Sequence, residues 1–287
     1  MSALAIVLGL AVAGIYGASD FGGGIAAKRI SATWVLVISH PAGLAVALLA
    51  VGFDPSADPS SGALIRGAVA GILAVVGLGL LYTALAAGQM GVVAPVTAVV
   101  AAIVPVGWGL LHDEQPGAVA LIGVALAIGA VALAASPAHA PVPGAAGAGV
   151  SSVALLPLAI ASGACFGAIF VLFSEFHVSD GMWPLVIERC VSIPLVLGLL
   201  AIARPKPRPD RPLIAISILV GALEVIANGL YILAVREGLL SLVGVLGSLY
   251  PISTVVLARV VLGERLGRVQ QVGLALALVG IGLIAAG

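Results

Sequence analysis

The sequence predicts an all-α membrane protein: ten transmembrane helices, arranged as two inverted five-helix repeats around a central cavity. Three observations carry that expectation. The composition is too apolar for a water-facing surface, ten segments have spanning length, and the chain matches itself at a shift of 150 residues. Of 287 residues, 62% are hydrophobic and only 8% charged, with mean hydropathy +1.27. A soluble domain carries about a quarter charged residues. The formal net charge is zero, which gives no support to a nucleic-acid or acidic partner.

A span needs about 20 mostly apolar residues, with every backbone polar group bonded inside it. The segments that qualify are 3–27, 34–52, 64–87, 92–111, 118–135, 153–173, 182–203, 212–235, 241–262 and 269–286. Loop chemistry separates them. One break runs from Asp54-Pro55-Ser56 to Ser61, another through Arg204-Pro205-Lys206-Pro207-Arg208-Pro209, where proline cannot continue a helix. Ser136 to Ser152 is rich in Pro, Gly and Ala, so the chain divides into a first repeat at 1–137, a linker at 138–151 and a second repeat at 152–287. The 38 glycines, with alanine throughout, mark close helix–helix contact in lipid. Residues 1–20 could pass for a signal peptide, but they lack a positive start and the chain continues to span membranes behind them, so they read as helix 1.

The repeat keeps one register from helix 1 to helix 5. Gly17-Ala18 falls on Gly167-Ala168, Gly71 on Gly221, Gly79 on Gly229 and Gly88 on Gly238. Glu114-x-x-Gly117 falls on Glu264-x-x-Gly267, and Gly123-x-Ala125-Leu126-Ala127 on Gly273-x-Ala275-Leu276-Ala277. Five is odd, so the second copy must stand upside down. Charge agrees. Lys28 and Arg29 in loop 1–2 face Glu175, His177 and Asp180 in its partner loop 6–7. Asp54, Asp58 and one cation, Arg66, in loop 2–3 face Arg204, Lys206, Arg208 and Arg211 in loop 7–8. His112, Asp113 and Glu114 in loop 4–5 face Glu264, Arg265 and Arg268 in loop 9–10. Cytoplasmic loops collect Lys and Arg, which puts loops 1–2, 7–8 and 9–10 in the cytoplasm and both termini in the periplasm.

The end of each half resembles the signature of the drug/metabolite transporter superfamily, in its EamA-like branch. The second copy carries Leu262-Gly263-Glu264-Arg265, then Gln270-Gln271-x-Gly273 and Gly280-Ile281-Gly282. In the first copy Asp113-Glu114-Gln115-Pro116 replaces the Gly-Glu-Arg core, though Gly123 and Gly129 remain. The resemblance implies two five-helix bundles around a central cavity and movement of amino acids, other metabolites or toxic compounds. Within the branch the chain is most similar to bacterial aromatic amino-acid exporters.

Inverted-repeat transporters bind cargo near the midplane, beside broken helices. Pro41 and Pro194 lie in helices 2 and 7, Pro105 and Pro251 in helices 4 and 9. These are candidate hinges, or static kinks. Glu224, Asn228 and Tyr231 are spaced four and three apart on helix 8 and so share a face. A carboxylate in a span normally faces an interior or wet cavity. Their repeat equivalents Ala74, Leu78 and Leu81 are apolar, so the cavity should have one polar and one greasy wall, suiting an apolar amino acid. The plainer reading makes Glu224 a packing residue. Tyr82, Thr97, Ser248 and Tyr250 are further substrate-binding candidates, although a Ser or Thr in a span usually bonds its own backbone. Trp34 and Trp183 read as interfacial anchors. Glu188 and Arg189 are adjacent on helix 7 and should point apart. Arg189 needs a partner at that depth, with Glu224 one possibility.

The expected function is a secondary transporter, an exporter or facilitator, working by alternating access, with protons coupled through Glu224 or not at all. No nucleotide-binding loop is present, and no cofactor or metal is expected. Cys165 and Cys190 sit in apolar runs, and His112-Asp113-Glu114 cannot converge on one ion. The partners expected are a small-molecule substrate and membrane lipid, in a monomer within a bacterial inner membrane. Alternatives are a channel, a lipid-handling protein, or an intramembrane enzyme. Ser39-His40 is poor geometry for a catalytic dyad.

Overall fold

A computed structural model describes residues 2–54, 56–87, 90–134, 152–262 and 268–286. The linker and the Gly263-Glu264-Arg265 signature lie outside the described residues, as do Gly88 and Gly267 of the repeat. All regular structure among the described residues is helical: α1 (Ala3–Ala27), α2 (Ala32–Gly52), α3 (Ser61–Ala87), α4 (Met90–Leu111), α5 (Ala118–Ala134), α6 (Ser152–Ser174), α7 (Trp183–Ala203), α8 (Arg211–Glu237), α9 (Leu240–Gly247), α10 (Tyr250–Leu262) and α11 (Arg268–Ala286). A three-residue 3-10 turn, Val178–Asp180, precedes α7. Seven helices (α1 to α4 and α6 to α8) are long and apolar enough to cross a membrane, and α5, α9–α10 and α11 are apolar but shorter.

Local chemistry sets the helix starts. Ser2, Ser31 and Asp210 each accept a backbone N–H of the first turn, from Ala5, Trp34 and Leu213 at 3.1, 3.3 and 3.0 Å, satisfying donors a helix leaves open. The packing then turns a soluble protein inside out. Large apolar side chains such as Leu49, Ile65 and Ile202 face outward, while Asp20, Glu188, Arg189, Glu224 and Asn228 are buried. A membrane rewards that distribution and water does not.

The principal contacts run between the halves, and they come in exchanged pairs. α1 packs on α8 and α6 on α3; α2 packs on α8 and α7 on α3; α4 packs on α6, and α9–α10 on α1. Three pairs exchange with themselves, α2 with α7, α4 with α9–α10 and α5 with α11. Matched glycines make the crossings possible. A Cβ on Gly71 would lie 2.5 Å from the Glu188 carbonyl oxygen, and one on Gly221 would clash with that of Ser39.

The loops pair at both ends of the molecule. At one end the Trp34 indole N–H donates to the Pro205 carbonyl at 3.0 Å, joining loops 1–2 and 7–8. At the other, Trp183 does the same to Ala57 at 3.1 Å, joining loops 6–7 and 2–3. The tryptophans therefore hold loops as well as sitting at helix starts. The second end has more bonds. Asp180 accepts the backbone N–H of Ser60 and of His177, each at 2.8 Å, Asp58 N–H donates to Ser179 at 3.0 Å, and Arg236 donates to the His177 and Gly181 carbonyls. Burial pushes the Asp180 carboxyl up, but those hydrogen bonds and the nearby His177 outweigh it and hold it below the usual carboxylate range.

The segment 241–262, expected as one span, is two helices. α9 ends at Gly247 and α10 begins at Tyr250. Pro251 therefore sits in the first turn of α10, where the missing N–H costs nothing, and does not kink a continuous helix. Glu114 from loop 4–5 caps α9 across the halves. Its carboxylate accepts the N–H of Leu240 at 2.6 Å and of Ser241 at 2.9 Å. The approach needs Gly109, since a Cβ there would clash with a Glu114 carboxylate oxygen.

Candidate functional site

A small, partly open cavity of about 40 Å³ lies where the halves meet, between α1, α3, α6, α7, α8 and the start of α10. Its walls differ in chemistry. Tyr16 and Asp20 from α1, Glu188 from α7, Glu224 and Asn228 from α8 and Tyr250 from α10 make one side. Ala74 and Leu78 from α3, with Phe166, Ile169 and Phe170 from α6, make the other. Glu224 and Asn228, one turn apart on α8, thus line the same cavity as Ala74 and Leu78, the residues that match them at the shift of 150.

The polar wall is a connected network. The Tyr16 hydroxyl donates to Asn228 Oδ1, and Asn228 Nδ2 donates to Glu188 Oε2 at 3.4 Å. The Arg189 guanidinium lies 3.2 Å from Glu224 Oε1 and 3.6 Å from Glu188 Oε1. The contact with Glu188 corrects the expectation that these neighbours point apart. A long guanidinium side chain reaches beyond the direction its Cβ sets. Arg189 is fully buried, and a charge there is tolerable only with partners. On its far side Arg189 donates to His40 Nδ1 at 3.1 Å, and Ser192 Oγ lies 2.7 Å from the same nitrogen. Arg189 can only donate, so Nδ1 accepts and the imidazole proton sits on Nε2, which has no partner among the described residues. This buried Ser192–His40 contact, rather than Ser39–His40, is the serine–histidine pair the fold assembles, and neither residue lines the cavity.

Of the other residues singled out by sequence, Tyr250 lines the cavity, with its hydroxyl unpartnered. Tyr231 is buried behind it, stacked on Phe170 with ring centroids 4.3 Å apart. Tyr82 is buried with its ring over Gly23. Thr97 donates to the Val93 carbonyl of its own helix at 3.0 Å, the backbone bond expected of a lone threonine. Ser248 occupies the break between α9 and α10. Pro41, Pro105 and Pro194 lie inside α2, α4 and α7, and Pro105 packs against Gly244 of α9. Tyr16 and Asp20 were not legible as site residues. The rule that singles out Glu224 applies equally to Asp20, but its place near the end of a segment resembling a signal peptide hides it.

Residues 154–286 match the model of the EamA-like transporter family. No curated protein matches. A solved structure, called only "Crystal structure of protein", superposes with TM-score 0.73 over 99% of this chain and 96% of that one, at 14% identity. That likeness shows the shared fold alone. The second half of the chain is thus similar to the EamA-like transporter family, within an all-α protein of many apolar helices.

Proposed function

We propose that the protein is a secondary transporter that moves a small amphipathic metabolite, such as an amino acid with an apolar or aromatic side chain, by exposing the central cavity alternately to the two faces of the membrane. The observation that carries this reading is the cavity itself. It lies at the junction of the halves, beside a broken helix, with a polar wall opposite an apolar one. Carriers built from inverted repeats bind at such junctions. The ten-span, inverted arrangement is supported by the exchanged helix packing and by the grouping of loops 1–2 with 7–8 and 2–3 with 6–7. The first group is basic and the second mainly acidic, which favours loops 1–2 and 7–8 in the cytoplasm and both termini in the periplasm of a bacterial inner membrane. One chain carries both halves, so a monomer suffices. Glu224, with one carboxylate oxygen unpartnered, is the proposed proton-coupling residue, and export is the proposed direction.

The test is uptake of labelled phenylalanine, tryptophan, leucine and threonine into proteoliposomes, with and without a pH gradient. Saturable, mutually inhibited uptake is expected, and Glu224→Gln should flatten its response to the gradient. If folded protein carries none of these nor sugars, nucleosides or drugs, the transporter reading fails.

A further inference from the structure

Resting on the transporter reading, we propose that the cavity is a receptor for an organic ammonium group, so that its preferred cargo is a monocationic amine with an apolar body rather than a zwitterion. Three carboxyl groups line the cavity, from Asp20, Glu188 and Glu224. The cation beside them, Arg189, is held by Glu188 and Glu224. Asp20 has no hydrogen bond or ion pair among the described residues, although only 8% of it is exposed. The acids alone would not make a site. A second observation is independent of them: Tyr250 is 3% exposed, lines the same space, and its hydroxyl has no partner among the described residues.

The inventory of donors and acceptors decides what fits. An ammonium brings three donors and no acceptor. It would find the Asp20 carboxylate, the free Glu224 oxygen and the Tyr250 oxygen, all acceptors with spare capacity. Burial in low dielectric strengthens such charge-assisted bonds. A substrate carboxylate needs donors, and here the wall is poor. Asn228 Nδ2 is engaged with Glu188, Tyr16 donates to Asn228, and Tyr250 offers one hydroxyl; Arg189 keeps an Nε without a hydrogen-bond partner among the described residues, but it lies outside the cavity lining, with Nη2 turned to Glu224 and Glu188. Bringing a carboxylate among three acidic groups adds like-charge repulsion. The apolar wall opposite takes the aromatic or aliphatic body.

The experiment is binding to the purified full-length protein in detergent at pH 7, where membrane leakage of the neutral amine does not interfere. Labelled 2-phenylethylamine is competed with phenylalaninamide, phenylalanine and 3-phenylpropionate. Phenylethylamine and phenylalaninamide should bind at least about tenfold more tightly than phenylalanine, and phenylpropionate should not compete. Asp20→Asn, close to isosteric, should weaken amine binding by about tenfold or more while keeping a monodisperse profile, and Tyr250→Phe should weaken it by a smaller factor. Phenylalanine binding as tightly as phenylethylamine would overturn the ammonium preference, as would unchanged affinity in Asp20→Asn. Uptake of any cargo by the same protein in liposomes would leave the transporter reading standing in either case. Absence of amine binding alongside amino-acid uptake therefore sinks only this inference.

Discussion

Arg189 is the residue on which the buried charges depend. It is fully buried between Glu188 and Glu224, and removing one partner of such a network strands the others. Arg189→Met should cost about 3–5 kcal/mol of stability, read as a fall in detergent melting temperature. Adding Glu188→Gln and Glu224→Gln should recover much of that loss; no recovery would show that Arg189 acts through packing instead. Glycine contacts give a second test at this scale. The Cβ of Gly221→Ala must push against the Ser39 carbonyl, whereas Gly198 has open space around it. The first substitution should cost about 1–3 kcal/mol and Gly198→Ala close to nothing, measured by the same melts. Glu224 and Asn228 were legible in the sequence because a polar pair one turn apart in an apolar span has few uses. The Arg189–His40–Ser192 contacts were not, because they join α2 to α7 and no spacing within either helix encodes them.

At the scale of the element, the broken ninth span depends on a side chain from the other half. Glu114 closes the first turn of α9 through Leu240 and Ser241, where a negative charge also suits the helix dipole. Glu114→Ala should cost roughly 1 kcal/mol. Gly109→Ala should cost a similar amount alone and almost nothing in the Glu114→Ala background, since its clash is with that carboxylate. A double-mutant cycle with additive losses would refute the link. In loop 6–7 the Asp180 carboxyl is held below its ordinary range by hydrogen bonds from Ser60 and His177. A lowered folded value means stability present above the unfolded value of about 3.9 and lost as pH falls through the folded one. The gap in melting temperature between wild type and Asp180→Asn should therefore be full at pH 7 and shrink below about pH 4. The sequence announced Pro251 but not the break before it. A proline tells where a helix cannot run on, yet whether it kinks a helix or starts one depends on the cap supplied from elsewhere.

For the whole molecule, the shift of 150 residues foreshadows the packing. Gly71 and Gly221 match in sequence and serve matching crossings, α3 on α7 and α8 on α2. What self-similarity could not convey is that the principal contacts run between the halves rather than within them, because a repeat fixes which residues correspond and not which touch. The divergence of Glu224 and Asn228 from Ala74 and Leu78 did reach the level of the whole molecule, since these four residues face one cavity. That cavity is the centre of the account, and counterflow in proteoliposomes tests it most directly. Vesicles loaded with unlabelled substrate are given the labelled compound, comparing wild type with Leu78→Trp, which fills the apolar wall opposite Glu224. The account predicts clear counterflow in the wild type and its loss in a folded, monodisperse Leu78→Trp protein; counterflow at the wild-type rate in that variant would place the cargo path somewhere other than this cavity.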